Sequence, residues 1–124
     1  MNYKDLDIWK LARELVIDIH KMSLNLPKFE MHETGSQIRR SSKSVKSNIV
    51  EGYGRRYYKQ EFIKYIIYSL ASNDETTDHL ETLFEIESLK DEILYKDLHD
   101  RSEKLGNMIN NFLNTIMTEH KSLK

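Results

Sequence analysis

Apolar residues recur every three or four positions along most of the chain, which is the spacing of one face of an α-helix. Four segments carry this pattern, at about residues 6–24, 36–53, 58–88 and 93–118. Pro27 ends the first segment because proline biases the preceding residue away from helical geometry. Residues 28–35 and 89–92 form short links. Four amphipathic helices with short links predict an all-α fold, an antiparallel up-down-up-down four-helix bundle, with residues 1–124 as one domain.

The second predicted helix has a narrow core-facing stripe with small residues in its middle. The stripe consists of Ile38, Val45, Ile49 and Gly52, with Ser41 and Ser42 on or beside it. Gly52 and Gly54 then interrupt the helical pattern. Because glycine has no Cβ atom, it tolerates the left-handed geometry that commonly ends helices. We therefore predict that one of these two glycines has a positive φ and turns the chain toward the third helix.

The third predicted helix has two apolar rows. The first row runs from Phe62 to Glu87 and is small or polar in its middle, where close approach to the serines of the second helix is expected. The second row consists of Ile63, Ile67 and Leu70. A single core uses only one row. The second row therefore predicts burial against a partner subunit, or a central position of this helix in the bundle.

Charge is segregated along the sequence. Residues 37–64 contain eight basic and two acidic residues, a net charge of +6 in a chain whose net charge is −1. The cations predicted to contact nucleic acid are Arg39, Lys43, Lys46, Arg55, Arg56 and Lys59. Tyr53, Tyr57 and Tyr58 are candidates for stacking on bases. The same charge also fits a solvated helix face, or a basic surface that meets the acidic surface of a neighbouring subunit.

Polar residues are expected to meet near the middle of the bundle. Arg40, Glu51 and Glu75 are predicted to pair across the second and third helices. Buried charges are normally paired, and such pairs can specify how helices align. The alternative is a ligand pocket at the same place.

Neither metal chemistry nor catalysis is predicted. Glu75 and His79 share a helix face that Glu51 could oppose, but the paired Glu-x-x-His motif of di-iron bundles is missing. No serine lies in a nucleophile elbow, and Gly52-Tyr53-Gly54 follows a helix instead of the strand that precedes a phosphate-binding loop. We therefore expect no enzyme activity, no cofactor and no bound metal.

Composition favours a cytoplasmic protein without a membrane partner. The chain has no cysteine, so it has neither a disulfide framework nor a thiolate nucleophile. Its first residues lack the apolar core of a signal peptide, and no apolar run is long enough to cross a bilayer.

Two further expectations concern the ends of the chain. Trp9 is expected to anchor the core at one end of the bundle, the alternative being a platform for a base or ligand. The polar residues 119–124 are expected to fray.

A family resemblance rests mainly on the second helix. QIRRSSKSV at residues 37–45, SNIVEG at 47–52 and the pair Gly54-Arg55 resemble the signature of the 23S rRNA-intervening sequence protein family. LDIW at residues 6–9 resembles that family's start, Pro27 with Glu30 its first connection, and Phe62 with SNDET at 72–76 its third helix. The chain departs from the pattern at Ser41 and Ser42, where the family often has two alanines.

The resemblance implies an antiparallel four-helix bundle that assembles as a homopentamer around a central channel, without enzymatic activity. It also implies a relation to the accessory variability determinant of diversity-generating retroelements. That protein works with a reverse transcriptase and binds nucleic acid through a basic surface.

Together these observations predict a non-enzymatic, oligomeric bundle that binds RNA or DNA weakly through the basic surface of its second helix. The alternative is a protein-interaction scaffold without nucleic-acid contact, in which the charge serves subunit assembly. The expected partners are other copies of the chain, five in total by the resemblance, then RNA or DNA, and an unidentified protein.

Overall fold

Helices make up nearly all of the structure. The computed structural model describes residues 1–120. It contains a 3₁₀ turn at Tyr3–Asp5 and the helices α1 (Asp7–Ser23), α2 (Lys28–Met31), α3 (Thr34–Gly54), α4 (Lys59–Glu85) and α5 (Glu92–Glu119). Residues 1–120 include no strand, so the all-α prediction is confirmed for this part of the chain. Residues 121–124, in the tail predicted to fray, lie outside the described residues.

The four long helices lie within three residues of their predicted bounds. The short α2 falls in the predicted connection before α3. After α4 the chain turns at Glu87, whose φ is 63°. Within the described chain, no helix combines the length and the apolar character needed to cross a membrane.

The core lies between the four long helices, and each of them contributes one apolar stripe. Its fully buried members include Ile19 of α1, Ile38 and Ile49 of α3, Ile66 and Leu80 of α4, and Leu98 and Leu105 of α5. Full burial of one such side chain stabilises the fold by about 1.5–3 kcal/mol. α3 packs on α1 and α4, and α5 packs on α4 and α1. This cyclic order is compatible with the predicted bundle.

Small polar residues line the contact between α3 and α4. Ser41 Oγ and Thr76 Oγ1 are 2.8 Å apart. Ser69 Oγ donates to the carbonyl oxygen of Val45 at 2.7 Å. Because buried hydroxyls are costly without partners, these pairs stabilise one alignment of the two helices. Ser41 thus lies in a polar seam between α3 and α4.

The prediction of a positive φ at Gly52 or Gly54 is wrong. None of the glycines, all of which lie within the described residues, has a positive φ. Instead α3 continues through Gly54, and the amide of Arg55 donates to the carbonyl of Gly52 at 3.0 Å. Gly52 serves packing: a Cβ atom there would lie 3.1 Å from Ile66 Cδ1 and 3.2 Å from Tyr65 Cβ. Its missing side chain therefore lets α3 approach α4 closely.

Glu30 of α2 is a buried carboxylate that joins two ends of the fold. It accepts hydrogen bonds from the amide of Thr34 at 3.2 Å and from Ser88 Oγ at 2.9 Å. Hydrogen bonding by Thr34, with a further contribution from Ser88, holds the pKa of Glu30 below its usual value, although burial acts in the opposite direction. The side chain thus fastens the start of α3 to the link between α4 and α5.

Candidate nucleic-acid interface

Three of the predicted cations lie on the flank of α3 that faces α1. Arg39, Lys43 and Lys46 occupy positions i, i+4 and i+7, which share one helix face. Arg39 donates through Nη1 to Ser23 Oγ at 2.8 Å and through Nη2 to the carbonyl of Met31 at 3.0 Å. Lys43 is exposed, whereas Arg39 and Lys46 are partly buried. Arg39 therefore ties α1, α2 and α3 together, and Lys43 is the most accessible of the three.

Lys46 lies over the indole of Trp9. Its Nζ is 5.9 Å from the ring centroid, within the range of a cation–π contact. Trp9 packs against the core and makes an edge-to-face contact with Tyr3, with 5.6 Å between the ring centroids. These contacts are those expected of a core anchor, and they occupy the ring that a base would need for stacking.

α1 contributes two basic residues that the sequence reading missed. Trp9 and Ser23 both contact α3, so residues between them at helical spacing lie on the same flank. These residues are Arg13, Val16 and His20, and both Arg13 and His20 are exposed. Neither this row nor the facing row of α3 contains an acidic residue. We call Arg13, His20, Arg39, Lys43 and Lys46 the basic face.

Arg55 is engaged by side chains of its own chain at the end of α3. Its Nη1 is 2.9 Å from Glu51 Oε2, and its Nε is 3.7 Å from Glu61 Oε1. The guanidinium also lies 4.7 Å from the centroid of the Tyr65 ring. Exposed ion pairs of this kind are weak individually. They nevertheless direct Arg55 toward α4 and away from the basic face.

Arg56 and Lys59 lie at the same end of the bundle as Arg55. Arg56 Nη1 donates to the carbonyl of Tyr53 at 2.9 Å, and its guanidinium lies 4.2 Å from the Tyr53 ring and 4.9 Å from the Tyr57 ring. Lys59 Nζ donates to the carbonyl of Met117 near the end of α5 at 3.0 Å. A cation stabilises a helix C-terminus through the helix dipole. The six predicted cations therefore do not form one surface.

The three tyrosines proposed for base stacking differ in access. Tyr57 and Tyr58 are 56 % and 49 % exposed. Tyr53 is partly buried and packs edge-to-face on Phe62, with 6.4 Å between the ring centroids. Access at this end is therefore greatest at Tyr57 and Tyr58.

The pairing predicted among Arg40, Glu51 and Glu75 is not formed within the described chain. All three residues are exposed. Glu51 pairs with Arg55 at 2.9 Å, and Glu75 lies 3.2 Å from His79 Nε2. The physical reason is the polar seam between α3 and α4, where hydroxyl pairs already occupy the buried positions. The charged groups remain in water, which avoids their desolvation cost.

A groove of about 570 Å³ lies between α4 and α5, and acidic residues line it. We call its carboxylates the acidic face: Asp74, Asp78 and Glu81 on α4, and Glu103 on α5. Within the described chain, no lysine or arginine lines this groove. Gly106 also lines the groove, and its missing side chain makes room for Asn73, because a Cβ atom there would be 3.0 Å from Asn73 Nδ2. The groove is therefore polar, open and negatively charged.

The basic and acidic faces lie on opposite sides of the bundle. α1 and α3 are neighbours, α4 and α5 are neighbours, and the cyclic packing order sets the two pairs against each other. The segregation of charge along the sequence indicates the basic segment of α3 but not the arginine that α1 adds. The helical spacing of Trp9, Arg13 and His20 places Arg13 on this face only once α1 is known to pack on α3.

Comparison with known families identifies the chain. The family model described as 23S rRNA-intervening sequence protein matches residues 4–111, which is most of the chain. No curated protein matches it. The matched region includes all of α1 to α4 and most of α5, and so contains both charged faces. The chain belongs to the 23S rRNA-intervening sequence protein family.

Proposed function

We propose that this chain is a non-enzymatic, self-associating four-helix bundle of the cytoplasm that binds RNA or DNA weakly through its basic face. The observation that carries the proposal is the basic face itself. It combines four arginine and lysine side chains with one histidine, on two adjacent helices and without an acidic residue in either row. Such cations contact backbone phosphates, which carry no base sequence. The implied relation to the accessory variability determinant supports the same function.

The dimensions of the basic face suit a short length of backbone. From Arg39 to Lys46 the helix rises by roughly 10 Å, at about 1.5 Å per residue. Arg13 on the neighbouring helix α1 adds a further cation to this surface. This surface fits about two or three phosphates. Because Lys46 covers the Trp9 ring, binding relies on charge and tolerates any sequence.

The proposal includes the antiparallel up-down-up-down arrangement. Along each contact between neighbouring helices, the residue numbers increase on one helix and decrease on the other, as they do in an antiparallel pair. The supporting pairs are Ser41–Thr76 and Ser44–Ser72 between α3 and α4, and Trp9–Lys46 and Ser23–Arg39 between α1 and α3.

Self-association is supported by the second apolar row of α4. Ile67 is 45 % exposed, and the neighbouring Tyr68 is 49 % exposed. Ile63 and Leu70 of the same row are partly buried. Exposed apolar residues that continue one row favour burial against another chain. The number five rests on the family resemblance.

The competing function is a protein-interaction scaffold without nucleic-acid contact. It is favoured by one observation: Arg39, Arg55, Arg56 and Lys59 all have hydrogen-bond partners within the chain. In that case the remaining surface charge would serve assembly between copies.

Fluorescence titration of single-stranded and double-stranded RNA and DNA distinguishes the two functions. The titration is run at about 50 mM and about 200 mM salt. We expect binding to all four at low salt, with a salt slope near −2 for three contacts to a single strand and a loss of roughly tenfold or more at the higher salt. Absence of binding to all four at low salt would overturn nucleic-acid binding and leave the scaffold function.

A further inference from the structure

His99 of α5 lies between carboxylates from two helices. Its Nε2 is 2.7 Å from Glu81 Oε2 on α4, and its Nδ1 is 3.4 Å from Glu103 Oε1, one turn along α5. Ligand atoms of His99, Asp100 and Glu103 all lie within 4.8 Å of one another. Two ligands about 2.1 Å from a tetrahedral ion are roughly 3.4 Å apart. The imidazole and Glu103 therefore already have the separation that a shared metal ion requires.

Glu81 determines which ring nitrogen faces Glu103 with a free lone pair. A carboxylate accepts hydrogen bonds but does not donate them, so the short contact with Glu81 places a proton on Nε2 of His99. Nδ1 is then the nitrogen that can offer a lone pair toward Glu103. Histidines that bind metals commonly donate their other ring N–H to a carboxylate in this way. Because Glu81 belongs to α4, the packing of the bundle itself sets the orientation of the ring.

The surroundings of His99 favour a cation. The ring of Tyr95 is 5.4 Å from that of His99. The carboxylates of Glu81 and Glu103, which both contact the imidazole, attract a positive ion to this part of the acidic face.

We propose that His99, Asp100 and Glu103 bind a divalent transition-metal ion such as Zn²⁺, Ni²⁺ or Co²⁺, with Glu81 positioning the imidazole. An imidazole ligand favours these ions, whereas Mg²⁺ and Ca²⁺ prefer a shell of oxygen atoms. Water fills the remaining coordination positions, since Asp100 and Glu103 are exposed. The ion would reduce the charge of the acidic face and leave the basic face unchanged, so the site is independent of nucleic-acid binding.

A second histidine supplies a matched control. His79 and Glu75 have the same i, i+4 spacing on α4, with 3.2 Å between Nε2 and Oε2. Unlike His99, His79 does not belong to a group of three side chains in the described chain whose ligand atoms lie within 4.8 Å of one another. A site that needs the third ligand will form at His99 and not at His79.

Isothermal titration of the full chain, without an affinity tag, with ZnCl₂ tests the proposal. We expect His99→Gln to weaken Zn²⁺ binding by about tenfold or more, and Asp100→Asn and Glu103→Gln to weaken it several-fold, whereas His79→Gln leaves it unchanged. Glu81→Ala should cost about tenfold, and Glu81→Gln should restore part of the loss, because its amide oxygen still accepts from Nε2–H. Nuclear magnetic resonance of the ring nitrogens should show Zn²⁺ on Nδ1 of His99.

Several results would overturn the site. Equal Zn²⁺ affinity of His99→Gln and the unaltered chain would do so, as would Mg²⁺ binding as tight as Zn²⁺ binding. Either result would mean that an acidic surface attracts cations in general, without a specific site at His99. A ring signal that places Zn²⁺ on Nε2 would contradict the role of Glu81. If His99→Gln fails to fold by circular dichroism, Asp100→Asn at its exposed position decides, and an unchanged affinity there overturns the proposal.

Discussion

The basic face and the acidic face are built alike, but their charged side chains differ in the partners that they contact. Each consists of charged rows on two neighbouring helices above a shared core. On the basic face Arg39 is hydrogen-bonded into the fold, while Arg13 and Lys43 remain exposed. On the acidic face His99 is the basic group that contacts carboxylates from both helices. The net charge of −1 therefore conceals a molecule with two oppositely charged sides, and a polyanion is attracted to only one of them.

Reversing the charge of the basic face should have the largest effect. Arg13→Glu combined with Lys43→Glu replaces two exposed cations, which the proposed function assigns to phosphate contact, with two anions that would repel phosphates. We expect nucleic-acid binding at low salt to fall by about 100-fold. Both side chains are exposed, so circular dichroism should show unchanged helicity. The affinity is measured by fluorescence titration.

The matched control reverses Lys10 and Lys104, which are also exposed but lie outside the basic face. It changes the net charge by the same amount. We expect only a small loss of affinity from this control. Equal losses in the two variants would show that net charge governs binding and would remove the basic face as a site.

Substitution of an exposed apolar residue tests whether the two faces act in single chains or in an assembly of several copies. Ile67→Glu places a charge in the outer row of α4, where Ile67 is 45 % exposed. We expect self-association to weaken by about tenfold because the contact between copies loses apolar area and gains a buried charge. Light scattering on a sizing column measures the change. Ile93→Glu, at a residue that is 84 % exposed, is the control, and a monomeric unaltered chain would contradict self-association through this row.

The sequence predicts the core and the helices well because each helix has its own apolar stripe. Ile38 and Ile66, for example, lie in predicted stripes and are fully buried. The faces are harder to predict because they depend on which helices become neighbours. Arg13 joins Lys43 only after α1 packs on α3. The prediction of a positive φ at Gly52 or Gly54 failed for a related reason. Gly52 allows close contact with another helix, and local turn preferences do not reveal such a contact.

Glu30 joins the half of the molecule that carries the basic face to the half that carries the acidic face. Removing its hydrogen bonds with Thr34 and Ser88 by Glu30→Ala should lower the free energy of unfolding by about 2 kcal/mol at neutral pH. The folded-state pKa of Glu30 is lowered. Its contribution to stability is therefore present above the ordinary pKa of the carboxyl group and is lost as pH falls through the folded-state pKa. Urea unfolding at several pH values should show the variant and the unaltered chain converging in acid, and a constant difference would contradict the assignment.

The two glycines near the end of α3 should respond in opposite directions. Gly52→Ala pushes a Cβ atom toward Ile66 and Tyr65, and we expect a loss of about 1 kcal/mol in the free energy of unfolding. Gly54 is helical, and a Cβ atom there meets nothing within 4 Å. Gly54→Ala should therefore stabilise the fold by about 0.5–1 kcal/mol. Thermal and urea unfolding measure both, and equal signs would show that close packing of α3 on α4 does not govern Gly52.

Neutralising the acidic face should have the smallest effect on nucleic-acid binding. Asp74→Asn with Asp78→Asn removes two negative charges on the side of the bundle opposite the basic face. Packed helix axes are about 8–10 Å apart, so these carboxylates are more than one Debye length of about 10 Å from a bound strand at 0.1 M salt. We expect affinity to rise by about twofold at low salt and not measurably at physiological salt. Fluorescence titration at both salts checks this. A tenfold rise that persists at the higher salt would place the acidic groove beside the bound nucleic acid, and the two faces would then have to act on the same ligand.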